Sequence, residues 1–275
     1  MTALETLEIS ASHGMFSLRE VSVVFPKGKM TAIVGPNGSG KSTLLKTLSR
    51  LLRIHGGDIR MDGKPIRQYG SAEFARKLTM LPQSGAFLPN LTVRELVAYG
   101  RYPYKRLFRQ RMNDEDRRII EWAMSVTGTS GHADRLFHTL SGGEQQKVRI
   151  AMALAQKTDM LLLDEPTTYL DIARQLEILE HLKQINETFG ITMVMVLHDL
   201  QQAARYCDYL IAMKQGAVVD EGPPQEVLTA AFFRGVYEIE ARVKFEETNW
   251  SLFLCIPFPI RRRTRDDYRY EHKPN

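Results

Sequence analysis

The sequence predicts an α/β fold that is built around a mostly parallel sheet. Short apolar runs, several of them β-branched, alternate along the chain with longer segments of helical period. Residues 160–163 form four apolar positions in a row, which is typical of a strand that is buried on both faces. Ile172–Phe189 is the longest helical segment, and alternation of this kind indicates βαβ units. We expect strands over residues 30–34, 78–81, 160–163, 191–197 and 209–213.

Between about residues 90 and 155 the pattern becomes helical, with few strand signals. Thr92 and Glu95 have the spacing of a capping box, which predicts a helix over residues 93–99 that ends at Gly100. Residues 114–126 form a second amphipathic stretch with acidic residues in its first turn. We interpret this region as a helical subdomain inserted into the α/β body.

The composition is that of a folded protein without membrane segments. Of 275 residues, 43% are hydrophobic and 25% are charged, which argues against disordered, collagen-like and membrane-embedded classes. The apolar runs are far shorter than the ~20 residues of a spanning helix, and no signal-peptide pattern is present. Cys207 and Cys255 are too few for a disulfide framework or a zinc cluster. If the protein acts at a membrane, we expect a partner to supply the path.

The net charge of +5 lies mostly at one end of the chain. Residues 251–275 hold six basic and three acidic side chains, so the first 250 residues carry only +2. A nucleic-acid binder is expected to carry a basic stripe on its folded body. We therefore predict one domain over residues 1–260 and a solvated basic tail over residues 261–275, and the charge distribution argues against a nucleic-acid partner.

A phosphate-binding loop, the P-loop, follows the first predicted strand. It fits the pattern GxxxxGK[ST] between a strand and a helical run over residues 43–52. Glycines permit turns that bring backbone N–H groups against phosphate oxygens. Lys41 is expected to reach the β- and γ-phosphates and the Ser42 hydroxyl to ligate Mg²⁺. The predicted nucleotide-binding residues are Gly35, Pro36, Asn37, Gly38, Ser39, Gly40, Lys41, Ser42 and Thr43.

Two carboxylates follow the apolar run at residues 160–163. Asp164 is placed at the carboxyl end of a central strand, the edge where ligands bind in open α/β sheets, and is expected to hold Mg²⁺ directly or through water. Glu165 is the candidate base that orients or polarises the attacking water in phosphoryl transfer. The sequence Asp-Glu-Pro is also a plausible turn, but the P-loop in the same chain favours the catalytic interpretation.

A second anion-binding helix terminus occurs in the predicted insert. Ser141 and Glu144 form another capping box, and Gly142 and Gly143 expose backbone N–H groups at the start of a helix that runs to about residue 155. One interpretation is a plain capped surface helix. The other is a dimer in which this signature segment, residues 141–144, closes on the γ-phosphate held by another subunit.

This ordered set of motifs resembles the ATP-binding subunit of ABC transporters over roughly residues 7–237. The resemblance implies a P-loop NTPase fold with an antiparallel β portion near the N-terminus, ATP and Mg²⁺ as cofactors, and a homodimer. It implies that Gln83 contacts Mg²⁺ and water, that Asp171 lies in the D-loop across the dimer, and that His198 lies near the γ-phosphate.

The sequence departs from the family at two places. Members of the family commonly carry an aromatic residue that stacks on adenine shortly before the first-strand turn, and His13 or Phe16 is the candidate here. Tyr169 stands in the D-loop where a small residue is more usual.

Residues 91–104 and 198–208 are similar to the importer branch for ferric siderophores, haem and cobalamin. This resemblance implies a peripheral subunit on the cytoplasmic face of the cell membrane, working with an integral-membrane permease and indirectly with an extracytoplasmic substrate-binding protein. The alternative is a soluble ABC-type ATPase that clamps a scaffold or nucleic acid. The permease-docking face is predicted on basic residues of the insert: Arg94, Arg101, Lys105, Arg106 and Arg109.

Overall fold

The computed structural model describes residues 1–83, 90–105, 112–245 and 252–255, and it confirms the mostly parallel α/β fold. The strands are β1 Thr2–His13, β2 Phe16–Pro26, β3 Met30–Val34, β4 Ile54–Met61, β5 Lys64–Pro65, β6 Leu78–Leu81, β7 Met160–Asp164, β8 Thr192–Val196, β9 Tyr209–Lys214, β10 Ala217–Gly222, β11 Arg242–Phe245 and β12 Leu252–Cys255. The helices are α1 Lys41–Leu48, α2 Ser71–Lys77, α3 Val93–Ala98, α4 Asp114–Val126, α5 Gly142–Ala155, α6 Ile172–Phe189, α7 Leu200–Tyr206, α8 Pro224–Val227 and α9 Ala230–Phe232.

The central sheet has the strand order β10-β9-β3-β8-β7-β6. Neighbouring strands from β9 to β6 are parallel, and β10 is antiparallel to β9. All five residues of β3, β7 and β8 are buried. A strand covered on both faces has no solvent side, so its sequence does not alternate between apolar and polar residues. This explains the continuous apolar runs from which the sheet was predicted.

A second sheet with the order β2-β1-β4-β5 is antiparallel throughout. It confirms the predicted antiparallel portion near the N-terminus. The hairpin of β11 and β12 was not predicted. Two-residue turns close the hairpins at Asp62-Gly63 and Gln215-Gly216, and all four of these residues have positive φ angles.

Alternate residues of β3 divide the core between two layers. Ala32 and Val34 belong to a cluster that includes α3 to α7, whereas Ile33 belongs to a cluster formed with α1, α2 and the antiparallel sheet. The helices of the insert therefore share a hydrophobic core with one face of the central sheet. The division into a domain and an inserted subdomain over residues 90–155 stays a prediction.

Two predicted helix ends are wrong. Residues 43–52 were expected to be helical, but α1 ends at Leu48 because Arg50 adopts a left-handed conformation with φ 63°. The helix predicted over residues 93–99 ends at Ala98 and continues as a 3₁₀ segment over Tyr99–Tyr104. Gly100 is therefore not a terminating residue. Its missing Cβ makes room for α5, since a Cβ there would lie 2.2 Å from the Met152 carbonyl oxygen.

One predicted docking residue of the insert is buried. Arg101 is only 4% exposed, and it donates hydrogen bonds to Asp116 at 2.8 Å and to the Ala155 carbonyl at 2.9 Å. It therefore ties α4 and α5 together and is not free to meet a partner. Arg106, Arg109 and residues 261–275 lie outside the described residues. Within the described ranges, no helix combines the length and the apolar character needed to cross a membrane.

Candidate active site

The candidate site lies at the carboxyl ends of four neighbouring strands. The P-loop follows β3, His198 follows β8, Asp164 ends β7, and Gln83 follows β6. Parallel strands place their carboxyl ends at one edge of a sheet, and this edge is where ligands bind in open α/β folds. The sheet order thus brings together residues that are far apart in the sequence.

The P-loop takes its shape from three glycines with positive φ angles: Gly35 at 144°, Gly38 at 77° and Gly40 at 106°. Gly35 is also pressed against β9, because a Cβ on it would lie 2.1 Å from the Met213 carbonyl oxygen. Gly40 is the N-cap of α1. These positions accept only glycine without strain, and they present the first turn of α1 to a phosphate group.

Lys41 lies folded across the P-loop. Its Nζ donates to the carbonyl oxygens of Gly35 at 2.8 Å and Pro36 at 3.0 Å. Burial lowers the pKa of Lys41, while the carboxylates of Glu165 and Asp164 oppose that change. The Lys41 ammonium is therefore held by neutral carbonyl groups beside a negative edge, from which it can move to an anionic ligand.

Ser42 and Asp164 are in direct contact. The Ser42 hydroxyl donates to Asp164 Oδ1 at 2.8 Å, and Asp164 is only 6% exposed. Burial raises the pKa of Asp164, and the hydrogen bond from Ser42 acts against this. A hydroxyl and a carboxylate are hard oxygen donors of the kind that Mg²⁺ prefers in nucleotide sites. The donor set at this point therefore fits the predicted metal.

Glu165 is the centre of a hydrogen-bonded cluster. Its Oε2 accepts from Gln83 Nε2 at 2.5 Å and from the Thr168 hydroxyl at 2.8 Å, and its Oε1 lies 2.5 Å from His198 Nε2. Burial favours the neutral acid, but the hydrogen bonds from His198 and Thr168 outweigh it and lower the pKa of Glu165. The structure thus brings the candidate base Glu165 together with Gln83 and His198, the predicted catalytic residues that the family resemblance implies beside the metal and the γ-phosphate.

The signature segment has the predicted local structure. The Ser141 N–H and hydroxyl each donate to Glu144 Oε2 at 2.8 Å, and the Glu144 N–H donates back to the Ser141 hydroxyl. Both residues are at the surface, where the α6 side chain of Arg174 covers Gly143. Among the described residues, no side-chain hydrogen bond or ion pair joins residues 141–144 to the P-loop of the same chain. The segment therefore stands apart from the cluster around Glu165.

In the D-loop, Asp171 caps a helix of its own chain and Tyr169 is exposed. Asp171 Oδ1 accepts from the Arg174 N–H at 2.9 Å, so Asp171 is the N-cap of α6. Its predicted contact across a dimer stays a prediction. Tyr169 is 83% exposed, and Ile172, three residues further along the chain, is 75% exposed. Two large apolar side chains with this exposure within four residues are typical of an interaction surface.

The two candidates for stacking on adenine occupy different environments. His13 is exposed at the end of β1, whereas Phe16 is half-buried at the start of β2. The Phe16 ring packs on the P-loop, because a Cβ on Gly40 would come within 2.8 Å of it. Phe16 is therefore the candidate that the structure places beside the nucleotide-binding residues, and the stacking itself stays a prediction.

Thr168 is a site residue to which the sequence analysis gave no role. Its backbone N–H also bonds to the Glu165 carbonyl at 3.3 Å, which closes a tight turn after β7. A hydroxyl residue three positions after a catalytic carboxylate, within a turn, is the signal that predicts such a contact.

The chain is similar to known proteins over most of its length. The family model described as ABC transporter matches residues 18–168. The chain is 47% identical over 244 residues to the iron(3+)-hydroxamate import ATP-binding protein FhuC of Bacillus subtilis, covering 88% of this chain and 90% of the relative. It is 44% identical to the ferric enterobactin transport ATP-binding protein FepC of Escherichia coli, covering 86% and 87% of the two chains.

Solved structures agree with the fold. The chain matches a structure described as an inward-facing ABC transporter of metal-chelate type with a TM-score of 0.80 and 24% identity, covering 92% of this chain and 96% of the other. A dimeric bacterial ABC transporter cassette matches with a TM-score of 0.69 and 29% identity, covering 80% and 98%. At this level of identity the first match supports the fold alone.

Proposed function

Because the chain belongs to the ABC transporter family, we propose that it is the ATP-hydrolysing subunit of an importer that takes up an iron complex of the ferric siderophore type. The main support for ATP hydrolysis is the hydrogen-bonded cluster around Glu165 beside the P-loop. It consists of Glu165 with Gln83, Thr168 and His198. The relatives FhuC and FepC, named for iron(3+)-hydroxamate and ferric enterobactin, support the cargo class.

The proposed mechanism is one of positioning. Backbone N–H groups of the P-loop and Lys41 hold the phosphates of ATP, and Ser42, Asp164 and Gln83 would hold Mg²⁺, which neutralises charge on the β- and γ-phosphates when bound. Glu165 accepts a hydrogen bond from the attacking water and orients it. His198 and Thr168 keep the Glu165 carboxylate in place by donating to its two oxygens.

The proposed active form is a homodimer. Within the described part of one chain, no side-chain hydrogen bond or ion pair joins the signature segment to the P-loop. Gly142, at the start of α5, is exposed and can offer its N–H to an anion, whereas Gly143 is buried under Arg174 of the same chain. Two copies arranged head to tail across a two-fold axis bring residues 141–144 and Asp171 of each copy toward ATP bound to the other. The exposed Tyr169 and Ile172 supply apolar area at this interface.

The proposed partner in the membrane is a permease, which places the subunit peripherally at the cytoplasmic face. The exposed Tyr99 and Tyr102 stack on each other with centroids 5.3 Å apart, and the Lys105 ammonium lies 4.4 Å from the Tyr102 ring centre. This aromatic and basic surface of the insert replaces Arg101 in the proposed docking face. A substrate-binding protein acts on the opposite side through the permease.

Glu165→Gln tests the proposed chemistry. The variant keeps the shape of the carboxylate but removes its charge, so ATP binding is expected to persist while hydrolysis falls by at least about 100-fold. An ATP-bound dimer should then accumulate, which light scattering with and without ATP measures. Glu180→Gln, on an exposed part of α6, is the matched control and should hydrolyse ATP as the unmodified protein does.

Lys41→Ala provides the contrasting variant, since it should weaken ATP binding itself and leave no dimer to trap. A Glu165→Gln protein that hydrolyses ATP at the normal rate would refute the proposed role of Glu165.

Two assays distinguish the proposed importer subunit from the alternative, a soluble ATPase that clamps a scaffold or nucleic acid. Uptake of iron bound to different siderophores, haem or cobalamin in cells that lack the subunit identifies the cargo, and membrane fractionation with and without the permease tests docking. A protein that stays in the supernatant when its permease is present, and whose ATPase is stimulated by DNA or RNA, would favour the soluble clamp.

A further inference from the structure

The turn between β9 and β10 lies directly against the P-loop. Gln215 and Gly216 form this two-residue turn with φ angles of 50° and 83°, between Lys214 and Ala217, which pair across the hairpin. Two successive positive φ angles are typical of the tight turns that match the twist of the flanking strands. The shape of the turn is therefore fixed by local geometry.

Gly216 bonds to two different parts of the nucleotide-binding region. Its N–H donates to the Ser39 carbonyl of the P-loop at 3.0 Å, and its own carbonyl accepts from the Arg19 N–H of β2 at 3.0 Å. One residue thus connects the P-loop with the antiparallel sheet. The connection is independent of the side chains, because all four hydrogen-bonding groups belong to the backbone.

The turn also leaves no space for a side chain at Gly216. A Cβ there would lie 2.2 Å from the Ser17 carbonyl oxygen and 3.4 Å from the Phe16 ring. The same Phe16 ring also packs against Gly40, because a Cβ on Gly40 would lie 2.8 Å from it. The Phe16 ring therefore packs against both Gly216 of the turn and Gly40 of the P-loop. No space for a side chain is left at either glycine.

The hydrogen bond to Ser39 determines how the following amide points. In a trans peptide the carbonyl oxygen of one residue and the N–H of the next lie on opposite sides of the chain. Because Gly216 holds the Ser39 carbonyl on its own side, the Gly40 N–H is directed away from the turn. Among the described residues, no backbone hydrogen bond from this N–H to another residue is present.

We infer that Gly216 is a positioning residue for ATP binding: by holding the Ser39 carbonyl, it directs the Gly40 N–H toward the phosphates. This inference rests on the proposed ATP-binding function. It predicts that damage to the turn weakens nucleotide binding without removing any group that touches the nucleotide.

Gly216→Ala tests the inference, and Gly63→Ala is its matched control. Gly63 occupies the same position in the Asp62-Gly63 turn, with φ 77°, but a Cβ there meets nothing within 4 Å. Both variants carry the strain of a positive φ, and only the first disturbs the P-loop. We expect Gly216→Ala to raise the Kd and KM for ATP about tenfold or more with a smaller change in kcat, and Gly63→Ala to stay within about twofold of the unmodified protein.

A measurement on the unmodified protein covers the case in which Gly216→Ala fails to fold. Amide exchange should show the Gly216 N–H protected both with and without a non-hydrolysable ATP analogue, and the Gly40 N–H protected only with it. Equal ATP affinity of the two alanine variants, or rapid exchange at Gly216 in the free protein, would overturn the inference. Failure of the unmodified protein to bind ATP would instead refute the proposed function.

Discussion

At the scale of single residues, Glu177 shows how a charged group links two functional segments. It accepts hydrogen bonds from Lys147 of α5 at 2.5 Å and from Arg174 of its own helix at 2.7 Å. These bonds lower the pKa of Glu177 to about 2. Since Arg174 also covers Gly143, the ion pairs connect α6, which follows the D-loop, with the helix of the signature segment.

Glu177→Gln should reduce stability in a pH-dependent way. The folded-state pKa of about 2 lies below the ordinary value of 4.5, so the ionised group stabilises the fold above pH 4.5 and this contribution is lost as the pH falls toward 2. We expect the variant to lose about 1 kcal/mol at pH 7, because partly exposed charges are screened by solvent.

Urea unfolding at pH 7 and at successively lower pH measures this difference, which should shrink as the pH falls below 4.5. Glu187→Gln is the control, since Glu187 is 63% exposed and lies 3.8 Å from Lys183. A difference between Glu177→Gln and the unmodified protein that stays constant from pH 7 to pH 3 would contradict the assignment.

At the scale of elements, local sequence signals were reliable at helix starts and less so at helix ends. The capping boxes at Thr92 and Ser141 formed as predicted, since their hydrogen bonds lie within four residues. Gly100, which was predicted to end α3, instead lies in the 3₁₀ segment that follows it and packs against α5. This close packing explains why residue 100 is a glycine. The neighbouring residues in the sequence do not predict it.

Gly100→Ala should force the 3₁₀ segment Tyr99–Tyr104 and α5 apart. The new Cβ would lie 2.2 Å from the Met152 carbonyl and 3.0 Å from the Ala155 Cβ, and overpacking of this kind costs about 1–3 kcal/mol. Urea unfolding measures the loss. Gly131→Ala, where a Cβ meets nothing within 4 Å, is the control and should be nearly neutral. Equal stability of the two variants would show that the 3₁₀ segment and α5 are not in close contact.

At the scale of the whole molecule, the P-loop and the signature segment belong to different surfaces of one chain. The sheet edge gathers Lys41, Asp164 and Glu165, whereas in the signature segment Arg174 of α6 covers Gly143 and leaves Ser141 and Gly142 exposed. A complete ATP site in the proposed function therefore requires two copies, with each copy supplying one of the two surfaces. This arrangement makes a prediction about mixtures of inactive variants.

Mixing Lys41→Ala chains with Ser141→Arg chains should restore activity. Each variant alone lacks a working site, but a mixed dimer contains one site with an intact P-loop from one chain and an intact signature segment from the other. Random pairing of equal amounts then gives about a quarter of the normal ATPase rate if sites act independently. The measurement is ATPase activity of the mixture against each variant alone, and a mixture no more active than its components would exclude a shared site.

Features that depend on near neighbours along the chain could be predicted without the structure. The P-loop, both capping boxes, the bounds of Ile172–Phe189 and the apolar strands were readable because their hydrogen bonds or their burial leave a pattern within a few residues. The pairing of Asp164 and Glu165 with the P-loop was readable as well, since parallel strands align their carboxyl ends.

Contacts between residues that are far apart in the sequence became visible in the folded chain. The fold buried Arg101 against Asp116, fitted Gly100 against Met152 and joined Gly216 to Ser39. Neither the composition nor the order of the residues specifies which of these groups meet. The contacts are stabilised by packing and desolvation, which arise only after the sheet and helices are assembled. The residues next to each of these groups in the sequence therefore do not predict the contacts.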